Sequence, residues 1–420
     1  MAAHTFPLVM RRLRQVQRIF QSEGAGGVSN RIRSRLAEQI RPKSAALPVR
    51  RSDVLAADLA RPTFHLKRLP APDKLIVLNW IMSPPAPGSG GHTTIFRIIR
   101  HLEKNGYSNR VYFYDPHQSD HSYYENIVRR YYEFQGPVDN VDNGMRDAHG
   151  VVATSWPTAY AAYNSACTGK RFYFVQDYEP FFHPVSTASV LAENTYRMNF
   201  HGITAGRWLA TKLQAEYGMT ADFFDFGCDT SRYVYDERVE RKGVVYYGRS
   251  DARRGFELGI MALEIFSKHC PNVEIHLYGD KAGPLPFDYV DHGWATPERL
   301  NEIYNRCFAG LSLSLTNVSL VPYEMLAAGC IPVINEAEQN RLVLDNPFVR
   351  YAEPTPQALA AELEILINAQ NAQQLRQQAA LSVSSADWEQ AGIKVNSAIR
   401  RAIQAGYEGA SPRLLSSLIE

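Results

Sequence analysis

No stretch of the chain approaches the roughly 18 consecutive apolar residues that a membrane-spanning helix needs, so nothing in it reads as an integral span. Cysteine is sparse and unpatterned. Cys167, Cys228, Cys270, Cys307 and Cys330 stand singly, an odd number with no C-x-x-C spacing and no histidine pairing of the zinc type. That excludes a disulfide scaffold and a structural zinc site as organising devices, and free, mostly buried thiols in a reducing compartment are expected. An excess of one charge is also missing. A formal net charge of +2 over 420 residues excludes a whole-chain polyanion binder, nucleic acid included. No repeat of 20–50 residues is present. The start, "MAAHTFPLVMRRLRQ", carries its charges after a short apolar patch, the reverse of a secretory leader, and a cytoplasmic location is expected.

Apolar residues make up 45% of the chain, enough for two cores, and the length suits two domains plus extras. Residues 1–70 read as a basic, helical N-terminal extension. Up to Arg51 its arginines and lysines face only Glu23 and Glu38, and Val9, Leu13, Val16 and Phe20 recur at helical spacing beside the basic face. Two readings stand for it: a solvated basic arm packed on its own protein, or peripheral attachment to an anionic membrane at the inner face of the plasma membrane.

From about Lys74 apolar runs alternate with amphipathic segments. "KLIVLNWIM", "RVYFYD", "GVVATS", "RFYFVQD", "HGITAG" and "ADFFDFG" read as strands, with "GGHTTIFRIIRHLEKNG" and other helical stretches between them. A second series follows from Lys242, with "GVVYYGR", "VEIHLYG", "AGLSLSL" and "IPVIN" as strands. The class is α/β: two Rossmann-like, doubly wound domains at 71–228 and 242–385, a polar linker at 229–241, and a C-terminal helical segment at 386–420.

Three places carry chemistry. "APGSGGHTT" is a glycine-rich loop opening a helix, where Gly90, Gly91 and His92 would let a ligand approach the backbone and the helix N-terminus would favour an anion. A dinucleotide site is one reading of it, with Asp115 as the ribose acid, but the third glycine of G-x-G-x-x-G is Thr93. "GRSDARRG" places Gly248 and Arg249 at a strand's end and Arg254 five residues later, two guanidiniums suited to a diphosphate. The third is "LSLTNVSLVPYEMLAAGCIPV", a strand, a hydroxyl-rich loop and a short helix bearing Glu324. That carboxylate either stabilises the helix dipole or accepts hydrogen bonds from sugar hydroxyls in the cleft shared with the arginines. Asp177 and Glu179, after "RFYFV", are candidates for acceptor-side or structural groups. His92 and His183 are single histidines open to either role.

These motifs resemble those of the retaining nucleotide-sugar glycosyltransferases of family 4, which have the GT-B fold. "GRSDARRG" is similar to their G-R-x-x-x-x-[KR]-G diphosphate motif, "FGCDTSRY" to their interdomain N-G-V-D-x-x-x-F segment, and "DHGWATPERLNEIYNRC" to their G-x-x-x-x-x-x-L-x-x-x-Y segment. "SLVPYEMLAAGCIPVI" resembles their donor-site helix, and "SADWEQAG" the tryptophan-containing helix that crosses back to the N-terminal domain. "FVQDYEPFF" with "ITAGRWLA" resembles one branch more closely, the rhamnan-synthesis rhamnosyltransferases that use dTDP-L-rhamnose. The resemblance implies an acceptor-side first domain and a donor-binding second domain. It implies a nucleotide-sugar donor held by Arg249, Arg254, Glu324, Thr316 and the backbone of Asn317, Val318, Ser319 and Leu320, and a glycan or lipid-linked glycan acceptor, with no metal or cofactor. One position departs: where the family carries a first glutamate eight residues before the second, this chain has Thr316. A nucleotide-sugar epimerase on the same architecture, or a non-catalytic nucleotide-sugar or glycan-binding partner in an assembly complex, are the alternatives.

Overall fold

The computed structural model describes residues 47–61 and 75–408, with isolated positions 17, 29, 32, 33 and 36. Residues 1–48 and 49–420 are separate compact units. In the first, Ile32, Arg33 and Leu36 are helical and exposed; Val9, Leu13, Val16 and Phe20 lie outside the described residues.

The second unit holds two parallel sheets. The first is built from β1 (Ile76–Met82), β2 (Tyr107–Phe113), β3 (Val138–Asn140), β4 (Gly150–Ala153), β5 (Lys170–Val175), β6 (His201–Ala205) and β7 (Ala221–Phe224), in the order 3-2-1-4-5-6-7. With α1 (Arg51–Ala56) ahead of them, its helices are α2 (Gly90–Lys104), α3 (His121–Tyr132), α4 (Trp156–Asn164), α5 (Thr187–Asn194) and α6 (Arg207–Tyr217). The second sheet comprises β8 (Gly243–Gly248), β9 (Glu274–Gly279), β10 (Val290–Asp291), β11 (Cys307–Leu311), β12 (Ile331–Asn335) and β13 (Arg350–Ala352), in the order 10-9-8-11-12-13. Its helices are α7 (Phe256–His269), α8 (Pro297–Arg306), α9 (Val321–Ala327), α10 (Glu338–Val343), α11 (Pro356–Ile367) and α12 (Ala372–Ser382), and α13 (Trp388–Glu408) closes the described chain.

The sequence builds these elements for simple reasons. The central strands are apolar runs because helices cover both of their faces: Trp80, Phe174 and Phe224 are fully buried in the first sheet, Tyr246, Leu311 and Val333 in the second. Each such side chain contributes about 1.5–3 kcal/mol of burial. Helix starts are marked by side-chain oxygens: Asp120 accepts from the Tyr123 amide, Thr296 from Arg299, and Thr355 from Ala358. Strand order reverses where β1 lies between β2 and β4, and again where β8 lies between β9 and β11. Open sheets bind ligands beyond the carboxyl ends of their strands at such points.

Two long-range features tie the halves together. The chain leaves the first sheet after β7 and returns at α13, and the Cys228 amide donates to the Ala386 carbonyl at 2.6 Å where the two passages meet. Helix α13 then lies along α2 so closely that a Cβ on Gly392 would come within 2.2 Å of His101 Cγ. The Arg97 guanidinium stacks 4.7 Å over Trp388.

Part of the stretch read as a basic extension is docked on the first sheet. Arg50 pairs with Asp142 (Nη2–Oδ2 2.7 Å), the Tyr114 hydroxyl donates to Asp53 (2.6 Å), and the Tyr163 hydroxyl to the Asp58 carbonyl (2.7 Å). The strand read as "GLSLSL" is also shorter than expected, ending at Leu311.

Candidate active site

Parallel strands bring the loops after β1, β5, β8 and β11 to one edge of each sheet, and there the two halves meet. The loop after β11 leaves the sheet early because side-chain amides replace ladder partners. The Ser314 amide donates to Asn335 Oδ1 (2.8 Å), Asn340 Nδ2 to the Ser314 carbonyl (3.0 Å), the Ser314 hydroxyl to the Asn317 carbonyl, and the Val318 amide to Asn317 Oδ1 (3.0 Å). A loop so braced holds its shape without a ligand.

Its polar side chains point toward the first sheet. The Thr316 hydroxyl donates to Asp177 Oδ2 (3.0 Å), while Asn317 Nδ2 donates to the carbonyls of Gln176 (2.8 Å) and Ala205 (3.3 Å). Both residues are buried. The Ser319 hydroxyl is enclosed without a hydrogen-bond partner among the described residues. A buried hydroxyl in that state costs free energy unless something else bonds it.

The arginines divide differently from the sequence expectation. Arg254 turns onto the β11 loop, its Nη1 donating to Ser314 Oγ (3.1 Å) and reaching the Asn317 carbonyl (3.5 Å). Burial first, then the like charge of Arg253, presses its pKa down. Arg249 is instead 44% exposed and lies 3.6 Å from Asp280. The guanidinium that shares Arg254's surroundings is that of Arg253, which donates to Asp177 Oδ2 (2.9 Å) and Asp251 Oδ2 (2.8 Å) and sits 4.7 Å over the Phe182 ring.

Asp177 therefore accepts from Thr316 and Arg253 on one oxygen, and from the Tyr178 amide (2.9 Å) on the other. Burial raises its pKa, and Arg253 and Arg254 oppose the rise. Glu179, two residues on, is a core group and not a cleft group. Its oxygens accept from the Trp156 amide (2.6 Å) and the Tyr173 hydroxyl (3.0 Å), and burial lifts its pKa to about 8.

Glu324 sits on α9 beside the hydroxyls of Tyr233 and Tyr304. Burial raises its pKa to about 7, against the lowering charge of Arg97. Its charged neighbours are thus Arg97 and Asp229, which form a 3.4 Å pair, and not the three arginines of "GRSDARRG". Tyrosines span part of the interval: Tyr304 shares a 2.6 Å hydrogen bond with Tyr278, and Tyr278 stacks at 5.1 Å on Tyr247 near the carboxyl end of β8.

The glycine loop is braced. Gly90 is exposed, and the Gly91 carbonyl accepts from Gln176 Nε2 (3.2 Å). His92 lies between the Ser83 carbonyl (Nε2, 3.0 Å) and the Ser89 hydroxyl (Nδ1, 2.9 Å), and burial depresses its pKa. A carbonyl partner requires Nε2–H, so this histidine is a neutral strut. Asp115 closes its own turn by accepting from the amides of His117 (2.9 Å) and Ser119 (2.6 Å). His183 packs edge-on against Trp156. Opposite the loop, the exposed Trp294 indole lies 3.6 Å from where a side chain on Gly88 would begin.

Sequence reasoning missed Arg253, Arg97, Tyr233 and Tyr304. Three of them had a signal: Arg253 adjoins Arg254 in the quoted motif, while Tyr233 and Tyr304 are the aromatic positions ending the "FGCDTSRY" and L-x-x-x-Y segments. Arg97 had none, since its partners are more than a hundred residues away.

Solved structures share this fold. A sucrose-phosphate synthase from Thermosynechococcus elongatus superposes with a TM-score of 0.59 at 14% identity, covering 79% of this chain and 100% of that one. HepE from Anabaena, solved with UDP and glucose, gives 0.58 at 13% identity over 79% and 100% of the two chains. The fold is GT-B. Within this GT-B chain, the family model described as the WsaF N-terminal domain matches residues 118–205, and that described as the WsaF C-terminal domain matches 242–364. The O-antigen biosynthesis protein RfbC from Myxococcus xanthus is 34% identical over 250 residues, 57% of this chain and 20% of that protein. The GT-B chain thus spans a fifth of the length of that relative.

Proposed function

We propose that this chain is a glycosyltransferase of surface-polysaccharide assembly, moving a hexose from a nucleoside diphosphate to a hydroxyl of a glycan or lipid-linked glycan. The observation that carries the reading is the half-buried Arg254 turned onto the braced β11 loop, a loop that also bears the Ser319 hydroxyl left without a partner among the described residues. Fixed positive charge and an unsatisfied donor at the carboxyl edge of a GT-B sheet suit a diphosphate. The bound UDP of HepE and the designation of RfbC as an O-antigen biosynthesis protein support the same class.

In this reading the donor diphosphate lies on Arg254 and the β11 loop, and the nucleoside extends along Tyr247 and Tyr278 toward Glu324, which receives ribose hydroxyls. Cleavage of the anomeric C–O bond leaves negative charge on the departing phosphate oxygen. A guanidinium already in place stabilises that charge without reorganising. The acceptor oxygen forms the new bond on the face the diphosphate leaves, its proton passes to the departing phosphate, and configuration is retained. The resemblance to family 4 supports retention, and that to the rhamnan-synthesis branch supports dTDP-L-rhamnose as donor. The chemistry calls for no metal or cofactor. The basic segment within residues 1–48 is read as a peripheral contact with an anionic membrane.

Incubation with radiolabelled dTDP-L-rhamnose and UDP-sugars and a lipid-linked glycan acceptor tests the reading. Transfer with a retained anomer is the expected result. Isomerised sugar would make the protein an epimerase, and saturable binding without turnover would make it a binding partner. Sedimentation with phosphatidylserine vesicles, with and without residues 1–48, tests the membrane contact; equal binding by both proteins refutes it.

A further inference from the structure

Arg253 and Asp177 are both held at the point where the halves meet, and neither has a use in the mechanism so far. Asp177 belongs to the first sheet's edge and Arg253 to the second's, yet their side chains meet at 2.9 Å with only 9% and 28% exposure. The pair is not a surface ornament of the kind worth little. Nor is it closed on itself: Arg253 also holds Asp251 through Nε, Thr316 donates to the same Asp177 oxygen, and Arg254 lies within the field of both. Two guanidiniums side by side at the carboxyl edge repel each other, and Asp177 is the carboxylate of the opposite half that offsets that repulsion.

We propose that Asp177 is a stand-in for the donor's diphosphate: it neutralises the Arg253–Arg254 pair in the free protein, and the diphosphate takes Arg253 over on binding. The inference rests on the donor-site reading above. Its physical basis is that one carboxylate and one diphosphate compete for the same cations. A guanidinium binds phosphate through the same bidentate geometry that it offers a carboxylate, and a diphosphate brings more charge. Asp177 thereby keeps an empty cationic site from capturing other anions, and lowers affinity for the nucleoside diphosphate product. Arg253 becomes a third donor-binding arginine, and Asp177 a positioning residue that acts through it.

The signature is an opposite response to two neighbouring substitutions. Titrating UDP and dTDP by calorimetry into the full chain, D177N should bind the nucleotide about tenfold tighter or more, because a competing, repelling charge has gone. R253Q should bind about tenfold weaker or worse, through loss of a charge-assisted contact and exposure of an unpaired carboxylate. D177N placed on R253Q should recover part of that loss. A purely structural latch predicts otherwise: D177N would melt earlier and bind no tighter, and R253Q would leave nucleotide affinity unchanged. Either result overturns the exchange, and should D177N not fold, the R253Q titration alone decides. A wild-type protein that binds neither nucleotide at millimolar concentration overturns the donor-site reading itself.

Discussion

Arg254, Glu324 and Glu179 are three ionisable groups with three different consequences. Arg254→Ala should lower turnover by about 10²-fold or more, the scale on which one preorganised electrostatic donor counts; wild-type kinetics in a transfer assay would remove the diphosphate assignment. Glu324 is poised near neutrality by burial. If its ionised form receives ribose hydroxyls, nucleotide affinity should rise as pH increases through about 7. Glu324→Gln should flatten that profile and weaken binding by roughly 10- to 150-fold, without lowering the melting temperature. Calorimetry across pH checks both, and an unchanged affinity would return Glu324 to a helix-dipole role. Glu179 answers in stability. Its pKa rises from 4.5 to about 8 on folding, so the native state holds the extra proton between those values. The stabilisation is full below about 4.5 and is lost as pH climbs through about 8. Glu179→Gln, which cannot ionise, should melt with a shallower fall between pH 5 and pH 9, as followed by calorimetry.

At the scale of elements, the contact between α6 and α10 leaves little room. Gly206 precedes α6 with φ +89°, and a Cβ there would meet Val343 Cγ2 of α10 at 2.7 Å. Gly206→Ala should cost about 1–3 kcal/mol through strain and overpacking, seen as a lower denaturation midpoint. The long central strands were legible because burial on both faces writes itself as unbroken apolar runs. β3, β10 and β13 were not: each is two or three residues long, and each ends its sheet, where one-sided pairing leaves no pattern to read. The site was legible in part for a related reason. "GRSDARRG" and the β11 loop announced a strand-end site through local composition. The direction of Thr316 was hidden, because its partner, Asp177, lies 139 residues earlier and only the docking of the halves turns the hydroxyl that way. The same docking brings Arg253 onto Asp177.

For the whole molecule, removal of residues 1–48 should leave the main melting transition in place, since 49–420 is a compact unit by itself. A cut at residue 70 should lower it, because Arg50, Asp53 and Asp58 bond to the first sheet. Thermal melts of the two truncations compare them directly, and equal melting points would show that docked segment to be dispensable. The bond between Cys228 and Ala386 has a consequence for movement. Two covalent passages fastened side by side act as the spine of a book, leaving the halves one direction in which to part. Glu324 follows Tyr323, whose carbonyl accepts from the Cys228 thiol at 3.5 Å, so it lies by the spine and should travel little. Arg253 and Asp177 lie out on the pages, so spin labels at Phe182 and Leu315 should separate more on nucleotide release than labels at Arg97 and Asp229. On the proposed reading, a nucleotide sugar would be let in at its diphosphate end, while the pocket proposed for its ribose would keep its shape throughout.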